Sequence, residues 1–236
     1  MHIGILMTNT DESDFAQQHP KDGEKWTGLL SPKRPDWRFT TYAVKDGEFP
    51  KSESLCDGWV VTGSPASVHD DAPWIADLLE LITRINAARI PMMGACFGHQ
   101  AIALALGGRV EENPNGWVFG SVEMETTTPT PWTEVKRFWQ YGAHIEQVTK
   151  LPIDARVIMR HDDCPIGGFA IGDHVFTTQN HPEMSGDFIA ALIEELADEK
   201  PDAVIARARA SLPLSADNGM FADWIIRFFE LERAAA

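Results

Sequence analysis

The sequence predicts an α/β fold of three layers: an open, mostly parallel sheet with helices on both faces and an antiparallel extension. Three observations carry that reading. Through the first half of the chain, short apolar runs alternate with helix-patterned stretches, the order expected of strands joined by crossover helices. From Gly116 onward, short strands follow one another between Gly, Pro and Asp signals. The last fifty or so residues then turn helical.

Taken in order, "HIGIL" is the first strand, and residues 10–36, rich in charge, Gly and Pro, read as a long loop. "WRFTTYAV" and "GWVVTG" follow as strands. "PWIADLLELITRINAA" is a helix, with Asp71 as N-cap and Pro73 in its first turn; Ile75, Leu78, Leu79, Ile82 and Ile85 form one apolar face. "IPMMGA" returns as a strand, and "HQAIALAL" is a helix that Gly107 and Gly108 stop. The antiparallel part takes in "GWVFGSVEMETT", "RFWQY", "ARVIMR" and "GGFAIGDHVFTTQ". Helices "GDFIAALIEELADEK", "DAVIARARASL" and "MFADWIIRFFELER" end the chain. The last offers Trp224, Ile225, Phe228 and Phe229 either to the core or to a second copy in a homodimer. At 236 residues, the whole of 1–236 reads as one domain with a helical extension from about residue 187.

Composition narrows the function. A count of 20 Lys+Arg against 35 Asp+Glu gives a formal charge of -15, which repels a phosphate backbone, and no basic cluster offsets it. Nucleic acid is therefore not expected as a partner. The start of the chain lacks a basic n-region, and no run approaches the ~20 apolar residues of a membrane span, so a cytoplasmic protein without membrane contact is expected. Cys56, Cys96 and Cys164 lie far apart and cannot all pair, which fits a reducing compartment. Cys56 and Cys164 read as small buried residues. His99, His144 and Cys96 lack the spacing of a metal-ligand set, so neither metal nor cofactor is expected. Among the tryptophans, Trp26, Trp37, Trp117, Trp132 and Trp139 stand in turn or strand contexts and read as packing residues, with a minority lining a pocket.

Cys96 stands apart. In "MMGACFGHQAIALALGG" it lies between Gly94 and Gly98, where a strand turns sharply into a helix. Such a turn is crowded and strained, needs glycine neighbours, and lifts the residue at its tip above the carboxyl edge of the sheet. The helix start beside it offers free N–H groups and partial positive charge, which favour a thiolate and an oxyanion. The alternative is a tight glycine turn with a filler cysteine. The partner segment is "TTQNHPEMSG": at a strand end, His181 and Glu183 share a face, so that Glu183 can hold one ring nitrogen while the other meets a thiol.

"GACFGHQ" together with "QNHPE" resembles the class I glutamine amidotransferase family, whose nucleophile turn reads G-x-C-x-G-H-Q and whose His and Glu lie in an H-P-E segment. "VVTGSPASVHDDAPW" looks like the family's oxyanion strand, "RVEENPNGWVFG" its segment after the nucleophile helix, and "YGAHIEQVTKLP" its substrate-side loop. The likeness spans roughly residues 58 to 190 and extends both to the glutaminase domain of GMP synthase and to γ-glutamyl peptide hydrolases. It implies the flavodoxin-like amidotransferase fold, with Cys96 as nucleophile, His181 as general base and acid, and Glu183 as orienting carboxylate. It also implies an oxyanion hole from the N–H groups of Phe97 and of Ser64, which follows Gly63. Gln100 would contact the glutamyl portion, and the backbone around Ala143 and His144 would hold its α-amino or carboxylate end. His144 reads equally as a hydrogen-bonded strand-end histidine, and His99 as a residue that orients the turn.

Two departures matter. Ser64 stands where the family commonly has a second glycine, which is immaterial for a main-chain donor. Ala143-His144-Ile145-Glu146 replaces the common Ser-His-x-Asp, and the hydroxyl missing at Ala143 leaves room for a leaving group larger than ammonia. The resemblance thus implies cleavage of a γ-glutamyl amide through a thioester on Cys96, with three substrate settings open: glutamine with release of ammonia, transfer of ammonia to a separate synthase subunit, or another small γ-glutamyl compound. A non-catalytic binding or regulatory module on the same fold is the alternative from another class.

Overall fold

The structure is a computed structural model that describes residues 1–134 and 136–234, the last three by their backbone alone. The first half contains β1 (His2–Leu6), α1 (Asp14–Gln17), α2 (Asp22–Leu30), β2 (Arg38–Tyr42), β3 (Gly58–Val61), α3 (Pro73–Ala87), β4 (Met92–Ala95) and α4 (Phe97–Ala105). Then come β5 (Arg109–Glu112), β6 (Val118–Thr126), β7 (Arg137–His144), β8 (Glu146–Lys150), β9 (Ala155–His161), β10 (Cys164–Ile171) and β11 (Val175–Thr178). Helices α5 (Gly186–Glu195), α6 (Asp202–Ser211) and α7 (Asn218–Ala234) follow.

A nine-stranded sheet runs in the order β2-β1-β3-β4-β11-β10-β9-β6-β7. Its first five strands are parallel; the other four join antiparallel. The α/β architecture with an antiparallel extension is therefore as the sequence predicts. Strand alternation sends the two sets of side chains to opposite faces. Ile3, Ile5, Val60 and Met93 meet α2 and α7 on one side, while Leu6, Trp59, Val61 and Met92 meet α3 and α4 on the other. Trp224, Ile225, Phe228 and Phe229 are buried in the first of these layers, so the apolar face of α7 goes to the core rather than to a second copy. Helix α6 covers β6 through a third, smaller cluster with α5.

Four sequence expectations need correction. Residues 10–36 are not one long loop, because α1 and α2 lie within them. Ser13 caps α1 by accepting from the Ala16 N–H, and Glu24 accepts from the Lys21 N–H at the start of α2. Two glycines and four charged or hydroxyl residues hide "DGEKWTGLL", and burial of Trp26 and Leu30 stabilises it instead; Trp26 is thus a helical core residue. Helix α3 has Ala72, not Asp71, at its N-cap, and it buries Leu81 where Leu79 is half-buried. The supposed loop "YGAHIEQVTKLP" is the end of β7 and all of β8, which pairs with β5 in a separate two-stranded sheet.

The fourth correction positions the site. "GGFAIGDHVFTTQ" divides at Gly172, whose φ of 51° turns the chain, so that β11 runs parallel beside β4 in the middle of the sheet. That insertion brings the segment after Thr178 to the carboxyl end of β4, where Cys96 stands.

Candidate active site

Cys96 joins β4 directly to α4 with φ 49° and ψ −109°, a backbone conformation that a residue with a Cβ seldom adopts. Surrounding hydrogen bonds hold it there. The Cys96 N–H donates to the Thr178 carbonyl at 3.0 Å, the Gly98 N–H to the Thr62 carbonyl at 3.0 Å, and the Gln100 N–H to the Cys96 carbonyl at 3.1 Å. The flanking glycines are required by close approach: a Cβ on Gly98 would lie 2.2 Å from the Val61 carbonyl oxygen, and one on Gly94 2.7 Å from the Gly98 oxygen. Gly98→Ala is accordingly expected to cost about 3 kcal/mol of stability, since backbone must move to admit the methyl group. Urea denaturation checks this against Gly219→Ala, where nothing lies within 4 Å; equal midpoints for the two variants would contradict the account.

The partner segment arrives from β11. The His181 N–H donates to the Tyr141 carbonyl at 2.9 Å, which ties the segment to β7. His181 Nδ1–H donates to Glu183 Oε1 at 2.7 Å, with both side chains almost wholly buried. On its other side the ring stands beside Cys96. Gly63 closes the third side, where a Cβ would stand 2.7 Å from His181 Cε1 and 3.6 Å from Cys96 Cβ. Burial pushes His181 down, but the charges of Cys96 and Glu183 and hydrogen bonds to both outweigh it and hold the imidazole well above its ordinary value. A protonated ring beside the sulfur at neutral pH is what a thiolate nucleophile needs.

The remaining predicted site residues divide into two groups. Gly63, Ser64 and Ala143 line, with His181, a cleft of about 620 Å³. Ser64 Oγ accepts from the Ala66 N–H at 3.2 Å. Phe97 is the first residue of α4, so its N–H belongs to the unpaired start of that helix, and its ring packs near Trp74. Gln100 and His144 lie buried behind the cleft: Gln100 Nε2 donates to the Glu146 carbonyl at 2.8 Å, and His144 Nδ1–H donates to the same oxygen at 3.0 Å. Neither side chain faces the cleft. They hold the backbone of Glu146, whose carboxylate does line it and accepts from Ser67 Oγ at 2.9 Å. Glu146 was legible as the substituted acid of Ala-His-Ile-Glu but is not among the predicted site residues. Trp117 lines the cleft, whereas Trp26 and Trp132 are fully buried.

Burial also fixes the other titratable groups. It raises the thiols of Cys56 to about 11 and Cys164 to about 12, so both are inert beside Cys96. It lowers His99 to about 3, and burial together with the charge of His161 lowers His144 to about 3. His99 meets Thr177 Oγ1 at 2.8 Å, which ties α4 to β11. Because their folded values lie below the unfolded one, these histidines take up protons on unfolding, and stability falls as the pH drops below about 6.5. The expected slope is about 1.4 kcal/mol per pH unit for each histidine. Denaturation of wild type and His99→Gln from neutral to about pH 4 should give a shallower loss for the variant; parallel curves would contradict this.

Comparisons with known proteins agree with the geometry. The family model described as glutamine amidotransferase class-I matches residues 38–191. Gamma-glutamyl peptidase 3 of Arabidopsis thaliana is 27% identical over 207 residues, covering 79% of this chain and 74% of the relative. The glutamine-hydrolyzing GMP synthase of Agrobacterium fabrum is 27% identical over 169 residues, covering 66% of this chain and 30% of that much longer protein. Among solved structures, a glutamine amidotransferase of Thermotoga maritima superimposes with a TM-score of 0.74 at 20% identity, over 97% of this chain and 98% of its own, and shares the fold. With the cysteine turn and the His-Pro-Glu segment both inside the matched residues, the chain belongs to the class I glutamine amidotransferase family.

Proposed function

We propose that the protein hydrolyses γ-glutamyl amides whose amine is larger than ammonia, with Cys96 as nucleophile. The observation that carries this is the juxtaposition of Cys96 and the His181–Glu183 pair around Gly63, with Gly63 and His181 lining a cleft of about 620 Å³. The Cys96 thiolate attacks the γ-carbonyl carbon, and the N–H groups of Phe97 and Ser64 donate to the oxyanion that forms. As the C–N bond breaks, protonated His181 gives its proton to the departing nitrogen, and a γ-glutamyl thioester remains on sulfur. The neutral imidazole then takes a proton from water, whose oxygen attacks the thioester; the C–S bond breaks, glutamate leaves, and the thiolate–imidazolium pair is restored. Glu183 keeps the ring oriented throughout. The glutamyl α-ammonium is assigned to the Glu146 carboxylate, which stands beside Ala143 in the cleft.

The size of the leaving group rests on the cleft volume and on the name of the Arabidopsis relatives, which are gamma-glutamyl peptidases at 27% identity. All γ-glutamyl substrates share the contacts to the glutamyl half, so discrimination falls to the leaving-group side and shows in kcat/KM. The purified protein, without any partner, is expected to cleave a γ-glutamyl dipeptide at least about tenfold more efficiently than glutamine, or about 1.4 kcal/mol in the transition state. Glutamine outperforming every such amide in side-by-side kinetics would contradict this and favour supply of ammonia to a separate synthase subunit.

A further inference from the structure

In the proposed mechanism the departing nitrogen takes its proton from His181, which puts the leaving group on the His181 side of the cleft. On that side the chain runs from Glu183 through Met184 into α5, where Ser185 Oγ accepts from the Phe188 N–H and sets Phe188 in the first turn. Phe188 does not stand alone. Its ring centroid lies 5.8 Å from that of Phe15 and 5.1 Å, edge-on, from that of His19, while Phe15 and His19 are 4.5 Å apart. Lys25 Nζ sits 3.7 Å over the Phe188 ring and 3.1 Å from the buried Asp22 carboxyl, which clamps the trio to α2. These contacts tie residues 10–36, the segment with no counterpart in the sequence motifs, to the helix that follows the reacting histidine.

The trio is packed but not sealed. Phe15, His19 and Phe188 are each half-buried and line the cleft, where Met184, Leu192 and Phe119 continue the apolar wall. The cleft volume of about 620 Å³ lies in the range that encloses a drug-sized ligand, well beyond what glutamine fills. With Lys25 paired to Asp22 and Lys45 to Glu12, the cleft keeps Lys21 and Lys200 against Asp11, Glu112, Glu146 and Glu199, so its charges do not select an anionic leaving group.

Resting on the reading of the protein as a γ-glutamyl amide hydrolase, we infer that Phe15, His19 and Phe188 form a leaving-group subsite selective for amines that carry an aromatic or branched apolar body. An aromatic ring inserted against this wall adds an apolar and ring–ring contact that glycine or ammonia cannot make.

The test has a binding arm and a kinetic arm. Calorimetric titration of Cys96→Ala with intact γ-glutamylphenylalanine and γ-glutamylglycine is expected to give at least about tenfold tighter binding of the former. In wild type, kcat/KM for γ-glutamylphenylalanine and γ-glutamylbenzylamide should exceed that for γ-glutamylglycine by a similar factor. Phe188→Ala and Phe15→Ala should each bring the ratio of the two substrates toward one. Equal affinities in the Cys96→Ala titration, or a ratio that both phenylalanine variants leave intact, would overturn the subsite. Selective binding without hydrolysis of any γ-glutamyl compound by wild type would instead uphold the subsite and overturn the hydrolase reading.

Discussion

Cys96→Ser is expected to reduce kcat by about 10⁴-fold or more while the fold survives, because no other side chain in the site can take over attack on the carbonyl. The reasons lie in the geometry. The sulfur stands at the one point where the strained turn, the start of α4 and the His181 ring converge. A hydroxyl fits the same space, keeps the Cys96 N–H bond to Thr178, and so preserves the turn. It cannot supply an anion near neutral pH, and the pair that raises His181 is lost with it. Initial rates and a denaturation midpoint on the same preparation check both halves. Near-normal turnover by the serine variant would remove Cys96 from the chemistry, and the inert thiols of Cys56 and Cys164 offer no substitute.

His181→Ala is expected to lose about 10³- to 10⁴-fold, and Glu183→Gln a smaller factor, about 10²-fold. The imidazole moves the proton in both half-reactions, whereas Glu183 only orients it and supports its charge. A glutamine at 183 still accepts from His181 Nδ1–H through its amide oxygen, so the ring stays in place. Only the negative charge disappears, and with it one of the causes that hold His181 above its ordinary value. The sign follows: the alkaline limb of the kcat/KM profile, where His181 loses its proton, should move to lower pH in Glu183→Gln. A larger loss for Glu183→Gln than for His181→Ala, or an alkaline limb that moves up, would reverse the roles assigned to the two residues.

What was legible in the sequence was chiefly what local pattern determines. The parallel sheet could be read because each of β1, β3 and β4 is a short apolar run set off by turn residues or a helix. The cysteine turn and the His-Pro-Glu segment could be read because both depend on residues a few positions apart. Less legible was everything that tertiary packing decides. Helix α2 carries too few apolar residues to announce itself and owes its burial to Trp26 and Leu30 against α7. The placement of β11 beside β4 is a long-range pairing that no local signal encodes, although Gly172 marks the turn that permits it. The Gln100 side chain, expected at the glutamyl portion, turns to the Glu146 carbonyl, and the His144 ring does the same in the manner of a hydrogen-bonded strand-end histidine, because buried donors go to the nearest carbonyl that satisfies them. The carboxylate they support is the group that faces the cleft.

The central claim is that a γ-glutamyl group passes through sulfur at residue 96. The most direct measurement is intact and peptide-level mass spectrometry of His181→Ala quenched in acid during incubation with γ-glutamylphenylalanine. That variant lacks the base that activates water, so an acyl group formed slowly on sulfur should be lost more slowly still. The account predicts a mass increase of one glutamyl group, confined to the peptide containing Cys96, removed by hydroxylamine and absent from His181→Ala/Cys96→Ser. Wild-type hydrolysis of the same substrate, with no adduct on Cys96 in the variant at any time or with an adduct on another residue, would contradict it.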